Sequence, residues 1–265
     1  MIFADEFPEL SMEATTLLEG KTALVTGGAG GLGRAIARAL QHAGAQGTIV
    51  DLDVSAAASG APVGWRGLAV DVRDEASLAA SVQATFGAFG GLDIVVANAG
   101  VVPPWCETEH IILEEWDRTI AVNVRGVVAT IKAAIPVMKR AGGSIIALGS
   151  EASYNGHQRQ AAYVATKHAV LGIVRSAALD LGRYNIRVNA VAPGPTATDA
   201  LLGRVAARAA TSHQTSASIL QKYIDATSLG RMVTENEVAS VVSFLASDLA
   251  LGTTGVVLPI DALAG

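Results

Sequence analysis

Three residues of the chain have types and spacing suited to moving a proton: Ser150, Tyr163 and Lys167. Tyr163 and Lys167 are four positions apart, so on a helix they lie on one face, with Cβ atoms about 5–6 Å apart. A free phenol has a pKa of about 10, and lowering it by about three units requires about 4 kcal/mol. An ammonium group in a site that excludes water supplies energy of that order. The spacing predicts a general acid/base, although it also fits a core tyrosine beside a solvated lysine.

A glycine-rich loop near the start of the chain predicts a dinucleotide site. Residues 22–25 form a short apolar run typical of a buried strand, and five glycines follow within positions 27–33. Residues 34–40 then show helical spacing. In such a strand–loop–helix unit, glycines admit a pyrophosphate and the helix N-terminus offers free N–H groups. The alternative is a tight turn that binds no ligand.

An acidic residue after the second predicted strand indicates which dinucleotide binds. The apolar run 47–50 ends in Asp51, which lies 18 positions after Gly33. That distance is near the spacing of a carboxylate that accepts a hydrogen bond from a ribose 2′-hydroxyl. Such a carboxylate repels the 2′-phosphate of NADP, and no basic residue immediately follows it. We therefore expect NAD rather than NADP.

The loop, the acid and the Ser…Tyr-x-x-x-Lys set together resemble the short-chain dehydrogenase/reductase family, over nearly the whole chain from about residue 18. The other similar segments are Asp71-Val72, Ala97-Asn98-Ala99-Gly100, Asn123 within residues 122–126, and the run from Pro193 to Thr198. The resemblance implies that the cofactor is bound by Gly27, Gly31, Leu32, Gly33, Asp51, Asp71, Val72, Asn98, Ala99, Gly100, Tyr163, Lys167, Pro193, Gly194, Thr196 and Thr198.

The resemblance also implies a role for each of four catalytic residues. Tyr163 exchanges a proton with the substrate oxygen, and Ser150 hydrogen-bonds that oxygen. Lys167 binds the nicotinamide ribose and lowers the tyrosine pKa. Asn123 helps to hold a water in a proton relay. One departure concerns the C-terminus, where Asp261-Ala262-Leu263 replaces the frequent Asp-Gly-Gly and puts the usual tight turn in doubt.

Alternating strand and helix patterns predict an α/β fold: a doubly wound, Rossmann-type parallel sheet of about seven strands with helices on both faces. Strands are expected near residues 22–26, 47–51, 67–71, 93–97, 143–149, 187–192 and 255–259. Helices are expected near residues 31–43, 75–89, 114–140, 156–182 and 235–246. The candidate site residues then fall at carboxyl ends of strands, where open α/β sheets bind ligands.

The same pattern predicts one domain over residues 18–265, preceded by a surface arm over residues 1–17. A long segment near 195–229 has weak helical character and is expected to be a lid over the substrate. Candidate apolar contacts of this lid are Leu201, Leu202 and Val205.

Composition narrows the possible partners. The net charge of −5 and the lack of a basic stripe argue against nucleic acid. No apolar run reaches 18 residues and the N-terminus lacks a basic region, so we expect no membrane span, no secretory signal and a cytoplasmic protein. The five histidines show no metal-ligand spacing, so no metal is expected. Only 16% of residues are charged, which suits surface covered by other subunits, and the family resemblance implies a homotetramer.

The leading hypothesis is an NAD-dependent oxidoreductase that interconverts a secondary alcohol and a ketone, with Tyr163 as the acid/base. The alternatives are an NADP-dependent 3-ketoacyl-type reductase and a nucleotide-sensing protein of the same fold without catalysis. Four further residues are candidates for the substrate pocket: Trp105, Glu151, Tyr154 and Arg159. The substrate itself is a small molecule whose identity the sequence does not encode.

Overall fold

The computed structural model describes residues 16–263 apart from 211 and 213, so most of the predicted surface arm lies outside the described residues. The described strands form one seven-stranded parallel sheet in the order β3-β2-β1-β4-β5-β6-β7. They are β1 (Thr22–Thr26), β2 (Gln46–Asp51), β3 (Arg66–Ala69), β4 (Ile94–Ala97), β5 (Gly143–Leu148), β6 (Ile186–Pro193) and β7 (Val257–Ile260). The predicted doubly wound α/β fold is confirmed.

The central strands are buried on both faces because helices cover both sides of the sheet. Every residue of β1, β4 and β6 is buried. The helices are α1 (Gly31–His42), α2 (Val54–Gly60), α3 (Glu75–Phe89), α4 (Leu113–Ile120), α5 (Gly126–Met138), α6 (Ala161–Leu181), α7 (Asp199–Ala210), α8 (Ser216–Asp225) and α9 (Glu235–Ala246). One apolar cluster lies under α1 and α9, and a second joins the opposite face to α3, α5 and α6.

The strand order reverses between β1 and β4, and a crevice lies at the carboxyl ends of these two strands. β1 pairs with β2 on one side and with β4 on the other. The crossovers leaving these strands run to opposite sides, so the loops at their carboxyl ends separate. Ligands of open α/β sheets bind in such a crevice.

Two predicted helices differ from the observed ones. The helix expected over 114–140 is divided by a π-helical turn, Ala121–Arg125, into α4 and α5. The helix expected to start at 156 begins only at Ala161, because Arg159 has a φ of 66° in the left-handed region, which does not propagate a right-handed helix.

A short helix, α2, was not expected from the sequence. Asp53 is its N-cap, and the Asp53 carboxylate accepts hydrogen bonds from the amides of Ser55 and Ala56. An aspartate cap satisfies amides that have no partner inside the helix. Side-chain caps also open two other helices: Asp74 caps α3, and Thr234 forms a capping box at α9.

The described stretch Leu113–Met138 is long and apolar enough for a membrane span by length and composition, with a mean hydropathy of 1.5 in its most apolar window. This is weak support for a span, because the core helix of a globular domain meets the same criterion. The stretch carries the buried side chain of Asn123 and supplies Val127 and Ile131 to the apolar cluster on one face of the sheet. The expectation of no membrane partner stays a prediction.

Candidate active site

The carboxyl ends of β1, β2, β4, β5 and β6 meet at one edge of the sheet, and the sequence-predicted residues follow them there. Two connected cavities lie along this edge. The larger, of about 850 Å³, follows the glycine loop and is called the cofactor cleft below. The smaller, of about 250 Å³, contains Ser150 and Tyr163 and is called the catalytic pocket. Both are bordered by Leu32, Asn98, Gly100 and Thr198, so the two cavities are continuous.

The fold brings Ser150, Tyr163 and Lys167 together. Ser150 follows β5, while Tyr163 and Lys167 lie in the first two turns of α6. The Ser150 hydroxyl is within hydrogen-bonding reach of the Tyr163 phenol. The Lys167 ammonium lies 5.6 Å from the centre of the Tyr163 ring and donates a 2.7 Å hydrogen bond to the Leu148 carbonyl. The lysine is buried rather than solvated, which removes the alternative interpretation of the spacing.

The net effect of the surrounding protein is to raise the pKa of the Tyr163 phenol. Burial raises the pKa of this phenol, and the hydrogen bond from Ser150 opposes that rise, with a smaller opposing effect from Arg204. Burial also lowers the pKa of Lys167 to about 8. Removing both groups from water disfavours both charged forms. The expectation that Lys167 and an oxidised nicotinamide together lower the pKa of the phenol stays a prediction.

Asn123 positions a loop of the site. Its side chain is 2% exposed and lies in the π-helical turn, a feature often found at functional sites. The Asn123 Oδ1 atom accepts from the Val101 amide at 2.8 Å, and Nδ2 donates to the Val101 carbonyl at 2.8 Å and to Thr166 Oγ1 at 3.2 Å. These bonds tie the loop after β4 to α6. The role of Asn123 in a water relay stays a prediction.

The glycine loop provides close backbone approaches that only glycine permits. Gly27 has a φ of 62°, in the left-handed region. A Cβ atom built on Gly33 would lie 2.0 Å from the Gly27 carbonyl oxygen, so any side chain there would force the loop and α1 apart. The cofactor cleft is lined by eleven of the predicted cofactor residues, namely Gly27, Gly31, Leu32, Gly33, Asp51, Asp71, Val72, Asn98, Ala99, Gly100 and Thr198.

Two residues join the glycine loop to the end of β4. The Thr26 hydroxyl accepts from the amides of Asn98 and Ala99, both at 3.0 Å. The Asn98 Nδ2 atom donates to the carbonyls of Thr26 and Gly27 at 2.9 and 3.0 Å. The Asn98 side chain thus fixes the floor of the cleft, a supporting role that the sequence resemblance had not separated from direct cofactor contact.

The two acids of the cleft are held differently. The Asp51 carboxylate accepts from the amides of Ala29 and Leu52 at 3.0 and 2.8 Å, and Asp51 remains partly exposed to the cleft. Asp71 pairs with Arg73 at 2.6 Å. The hydrogen bonds from Arg73 hold the pKa of Asp71 below its usual range, against a smaller opposing effect of burial.

The remaining predicted cofactor residues line the catalytic pocket: Tyr163, Lys167, Pro193, Gly194 and Thr196. Helices α7 and α8 fall in the segment predicted to be a lid, and they line this pocket with Leu201, Arg204 and Tyr223. The two helices are called the lid below, and their role in closing over a substrate stays a prediction. Of the predicted apolar lid contacts, Leu201 and Val205 are buried, while Leu202 is 41% exposed. Gln160, Arg204 and Tyr223 were missed from the sequence, because they lie in segments without a chemical motif.

Of the four further pocket candidates, Trp105 and Glu151 line the catalytic pocket, whereas Tyr154 and Arg159 do not. The Tyr154 hydroxyl donates to the Val257 carbonyl at 2.6 Å. The Arg159 guanidinium pairs with Glu107 at the surface. Both side chains stabilise neighbouring segments.

An exposed cluster, Glu107, Glu109 and His110, brings oxygen and nitrogen atoms within 4.8 Å of one another. Exposed acidic groups are commonly found in this arrangement without an ion, and Glu107 is already paired with Arg159. The expectation that no metal is bound stays a prediction.

The tight C-terminal turn forms despite the side chains at 262 and 263. Ala262 and Leu263 have φ angles of 56° and 53°, in the left-handed region that glycine adopts at little cost. The Ser228 amide donates to the Ala262 and Leu263 carbonyls at 3.0 and 3.2 Å. Gly194 packs directly on Asp261, where a Cβ would lie 2.7 Å from the Asp261 Cα. The turn therefore braces both the strand end at Gly194 and the end of the lid.

Comparison with known proteins agrees with this geometry. Residues 27–262 match a family model described as enoyl-(acyl carrier protein) reductase. A short chain dehydrogenase/reductase of Aspergillus oryzae is 36% identical over 254 residues, covering 92% of this chain and 94% of that protein. D-threitol dehydrogenase of Mycolicibacterium smegmatis is 36% identical over 260 residues, covering 96% of each chain.

A solved structure agrees over the same extent. The structure of an NAD⁺-bound xylitol dehydrogenase superposes with a TM-score of 0.86 at 29% identity, covering 92% of this chain and 98% of that one. The matches run through the glycine loop, the strand ends and α6, which are the parts that build the two cavities. By sequence, fold and site, this chain belongs to the short-chain dehydrogenase/reductase family of oxidoreductases.

Proposed function

We propose that the chain is an NAD-dependent oxidoreductase that interconverts a secondary alcohol and a ketone, with Tyr163 as general acid/base. The observation that carries this proposal is the Ser150–Tyr163–Lys167 cluster at one end of a continuous cleft, with the glycine loop along the other part. D-threitol dehydrogenase and the NAD⁺-bound xylitol dehydrogenase, by their names, support an alcohol substrate and this cofactor.

The residues of the cleft fit a dinucleotide. The loop from Gly27 to Gly33 and the N-terminus of α1 suit the pyrophosphate. The Asp51 carboxylate, oriented by two amides, suits the ribose 2′-hydroxyl. The buried ammonium of Lys167 uses one N–H to donate to the Leu148 carbonyl and keeps further N–H donors. These donors suit the nicotinamide ribose.

In alcohol oxidation, Tyr163 takes the hydroxyl proton while the hydride leaves the carbinol carbon, and a ketone is formed. Ser150 holds the reacting oxygen by a hydrogen bond, within reach of the phenol. Lys167 and the segment from Pro193 to Thr198 would hold the nicotinamide end of the cofactor, which would supply a hydride acceptor and, when oxidised, a positive charge. The side chains leave the phenol with a raised pKa, so the proposal requires this added charge to make it a base near neutral pH.

A second candidate, the NADP-dependent 3-ketoacyl-type reductase, has one observation in its favour. Arg34 lines the cofactor cleft near the glycine loop, and no ion pair of its guanidinium is found in the described part of the chain. Arg73 also lines the cleft but is committed to Asp71. A 2′-phosphate would need Arg34 to outweigh the charge of Asp51.

Titration of the purified protein with NADH and NADPH, followed by nicotinamide fluorescence, tests the cofactor. We expect NADH to bind more tightly, and Asp51→Ala to reduce this preference about 10- to 100-fold, as expected for a hydrogen bond to a charged group. Arg34→Gln is the matched control and should leave the NADH affinity within about twofold, on the order of 0.4 kcal/mol. Tighter binding of NADPH that depends on Arg34 would instead establish the second candidate.

The reaction is tested by incubating the protein with NAD and a panel of cyclic, aliphatic and aryl secondary alcohols. We expect NADH to form with at least one class of alcohol. A protein that binds NADH but oxidises no alcohol and reduces no ketone would be a nucleotide sensor.

We also propose that the protein is a homo-oligomer, a tetramer by family analogy, in the cytoplasm. Its proposed partners are small molecules rather than nucleic acid or membrane. Its support is the exposed apolar surface, which includes Leu179 on α6 at 85% exposed and Leu251 at 63% exposed. Such surface is typical of contacts between subunits.

A further inference from the structure

Glu151 lines the catalytic pocket, and no described residue donates a hydrogen bond to its carboxylate. Its side chain is 18% exposed and follows Ser150 directly in the chain. His157 Nε2 lies 3.7 Å from Glu151 Oε1, which is too long for a hydrogen bond. Glu151 therefore borders the same space as Ser150 and Tyr163, where the proposed function places the substrate.

Leaving this carboxylate without donors costs free energy, since buried charges are normally hydrogen-bonded or paired. The cost is visible in the pKa of Glu151, which burial and, to a smaller extent, the charge of Asp261 raise to about 6. His157 does not relieve it: burial lowers the pKa of that imidazole, and its Nε2 atom is buried without a partner. An unsatisfied acceptor beside the reacting centre indicates a ligand that supplies the donor.

The other charges of the pocket decide which kind of donor fits. Arg204 lines the same pocket from α7, and its charge acts on both Tyr163 and Tyr223. A second guanidinium, Arg208, lies 4.6 Å from the Trp105 ring centre at the pocket wall. These cations disfavour an ammonium group in the substrate, so the donor that fits best is an uncharged hydroxyl.

We propose that Glu151 binds a second hydroxyl of the substrate, so that the site takes diols and polyols and the hydroxyketones formed from them. The inference rests on the proposed function, because it assumes that Ser150 and Tyr163 hold the reacting oxygen. Ser150 and Glu151 are consecutive, with Cα atoms about 3.8 Å apart, so the second hydroxyl belongs on a carbon close to the reacting one. Oxidation removes the carbinol hydride and the hydroxyl proton, and the second hydroxyl is unchanged.

The test compares paired substrates that differ by one hydroxyl: butane-2,3-diol with butan-2-ol, and cyclohexane-1,2-diol with cyclohexanol. We expect the wild-type kcat/KM to favour the diol at least about 10-fold, because a site built to bind a hydroxyl rejects the analogue lacking it. Glu151→Leu should reduce this ratio to about one, and Glu151→Gln, which keeps an acceptor, should retain part of it. Glu109→Leu, a change at an exposed carboxylate outside the pocket lining, is the matched control and should keep the wild-type ratio.

A second readout separates recognition from a structural effect. Glu151 is ionised above pH about 6, and an ionised acceptor binds a hydroxyl more strongly. The diol-to-alcohol ratio should therefore rise between pH 5 and pH 7 in the wild type, roughly through that pKa, and stay flat in Glu151→Gln. The titration of Tyr163 affects both substrates and therefore cancels in the diol-to-alcohol ratio. The other titratable groups near Glu151 are His157, Asp261 and Tyr223.

The outcomes distinguish a failure of the inference about Glu151 from a failure of the proposed oxidoreductase function. If wild-type protein oxidises diols and simple alcohols equally, or the ratio survives Glu151→Leu in a variant that still binds NADH, the inference is wrong while the oxidoreductase proposal stands. If no alcohol or ketone of either kind reacts, the proposed function fails first. Preference for 3-aminobutan-2-ol over butane-2,3-diol would overturn the hydroxyl assignment in favour of a cationic substrate.

Discussion

The catalytic platform and the lid are built differently, although they face each other across the same pocket. The platform comprises the turns after β4 and β5 and the start of α6, and its side chains are tied to the sheet. Lys167 donates to the Leu148 carbonyl, and the Ser153 hydroxyl donates to the Lys167 carbonyl at 2.9 Å. The lid, α7 and α8, instead packs around its own small cluster of Leu201, Val205 and Ile219.

The lid is joined to the rest of the described structure by few backbone bonds. One isolated bridge pairs Thr196 with Val233, and Ser228 donates to the C-terminal turn. A segment with its own small core opens at lower cost than one integrated in the sheet. The residues predicted to transfer the proton are thus held by the global fold, whereas the helices predicted to cover the substrate form a locally stabilised unit.

The largest expected effect concerns the platform. Tyr163→Phe removes the phenolic oxygen to which we assign the proton exchange and should lower kcat about 10³-fold, within the usual range for a general acid/base. The ring still fills its buried site, so the melting temperature and NADH affinity should change little. Steady-state kinetics beside a binding titration checks this. Survival of turnover would assign the base to another group.

A matched pair of valine substitutions sharpens the comparison of stability. Val174 lies on α6, the helix that carries Tyr163 and Lys167, and is fully buried in the apolar cluster between that helix and the sheet. Val205 is 3% exposed in the lid. Val174→Ala should lower the free energy of global unfolding by about 2 kcal/mol. Val205→Ala should leave global unfolding nearly unchanged and raise KM several-fold, because the lid opens more often while the platform stays intact.

Urea denaturation and steady-state kinetics of the two variants give the check. Equal losses of global stability in both variants would show that lid and platform unfold as one unit.

The smallest expected effect lies in the C-terminal turn that braces both regions. Leu263 is 71% exposed and has a left-handed φ of 53°. Leu263→Gly should relieve backbone strain and raise the free energy of unfolding by about 0.5–1 kcal/mol. Leu251→Gly is the control, since Leu251 is similarly exposed but has a φ of −56°, and it should not stabilise. A stabilisation by both changes, measured by denaturation, would exclude strain as the cause.

Much of the glycine loop and of the platform could be predicted from the sequence, because the sequence signals of both are local. The glycine spacing of the loop, the strand-like run before it and the four-residue separation of Tyr163 and Lys167 each act within one element or one turn. The π-helical turn at Asn123 and the late start of α6 at Ala161 could not be read in this way. They depend on how the loops after β4 and β5 pack against each other.

The sequence by itself determined the fold class, the succession of the seven strands along the chain and the set of residues that gather at the strand ends. Only the tertiary structure decided that burial raises the pKa of Tyr163 and that Asn98 and Asn123 support loops. It also decided that the Glu151 carboxylate meets no hydrogen-bond donor among the residues that the structure describes. The physical reason is that periodicity and backbone freedom are properties of neighbouring residues. Desolvation, charge and hydrogen-bond satisfaction at a point depend on every segment that the fold brings there.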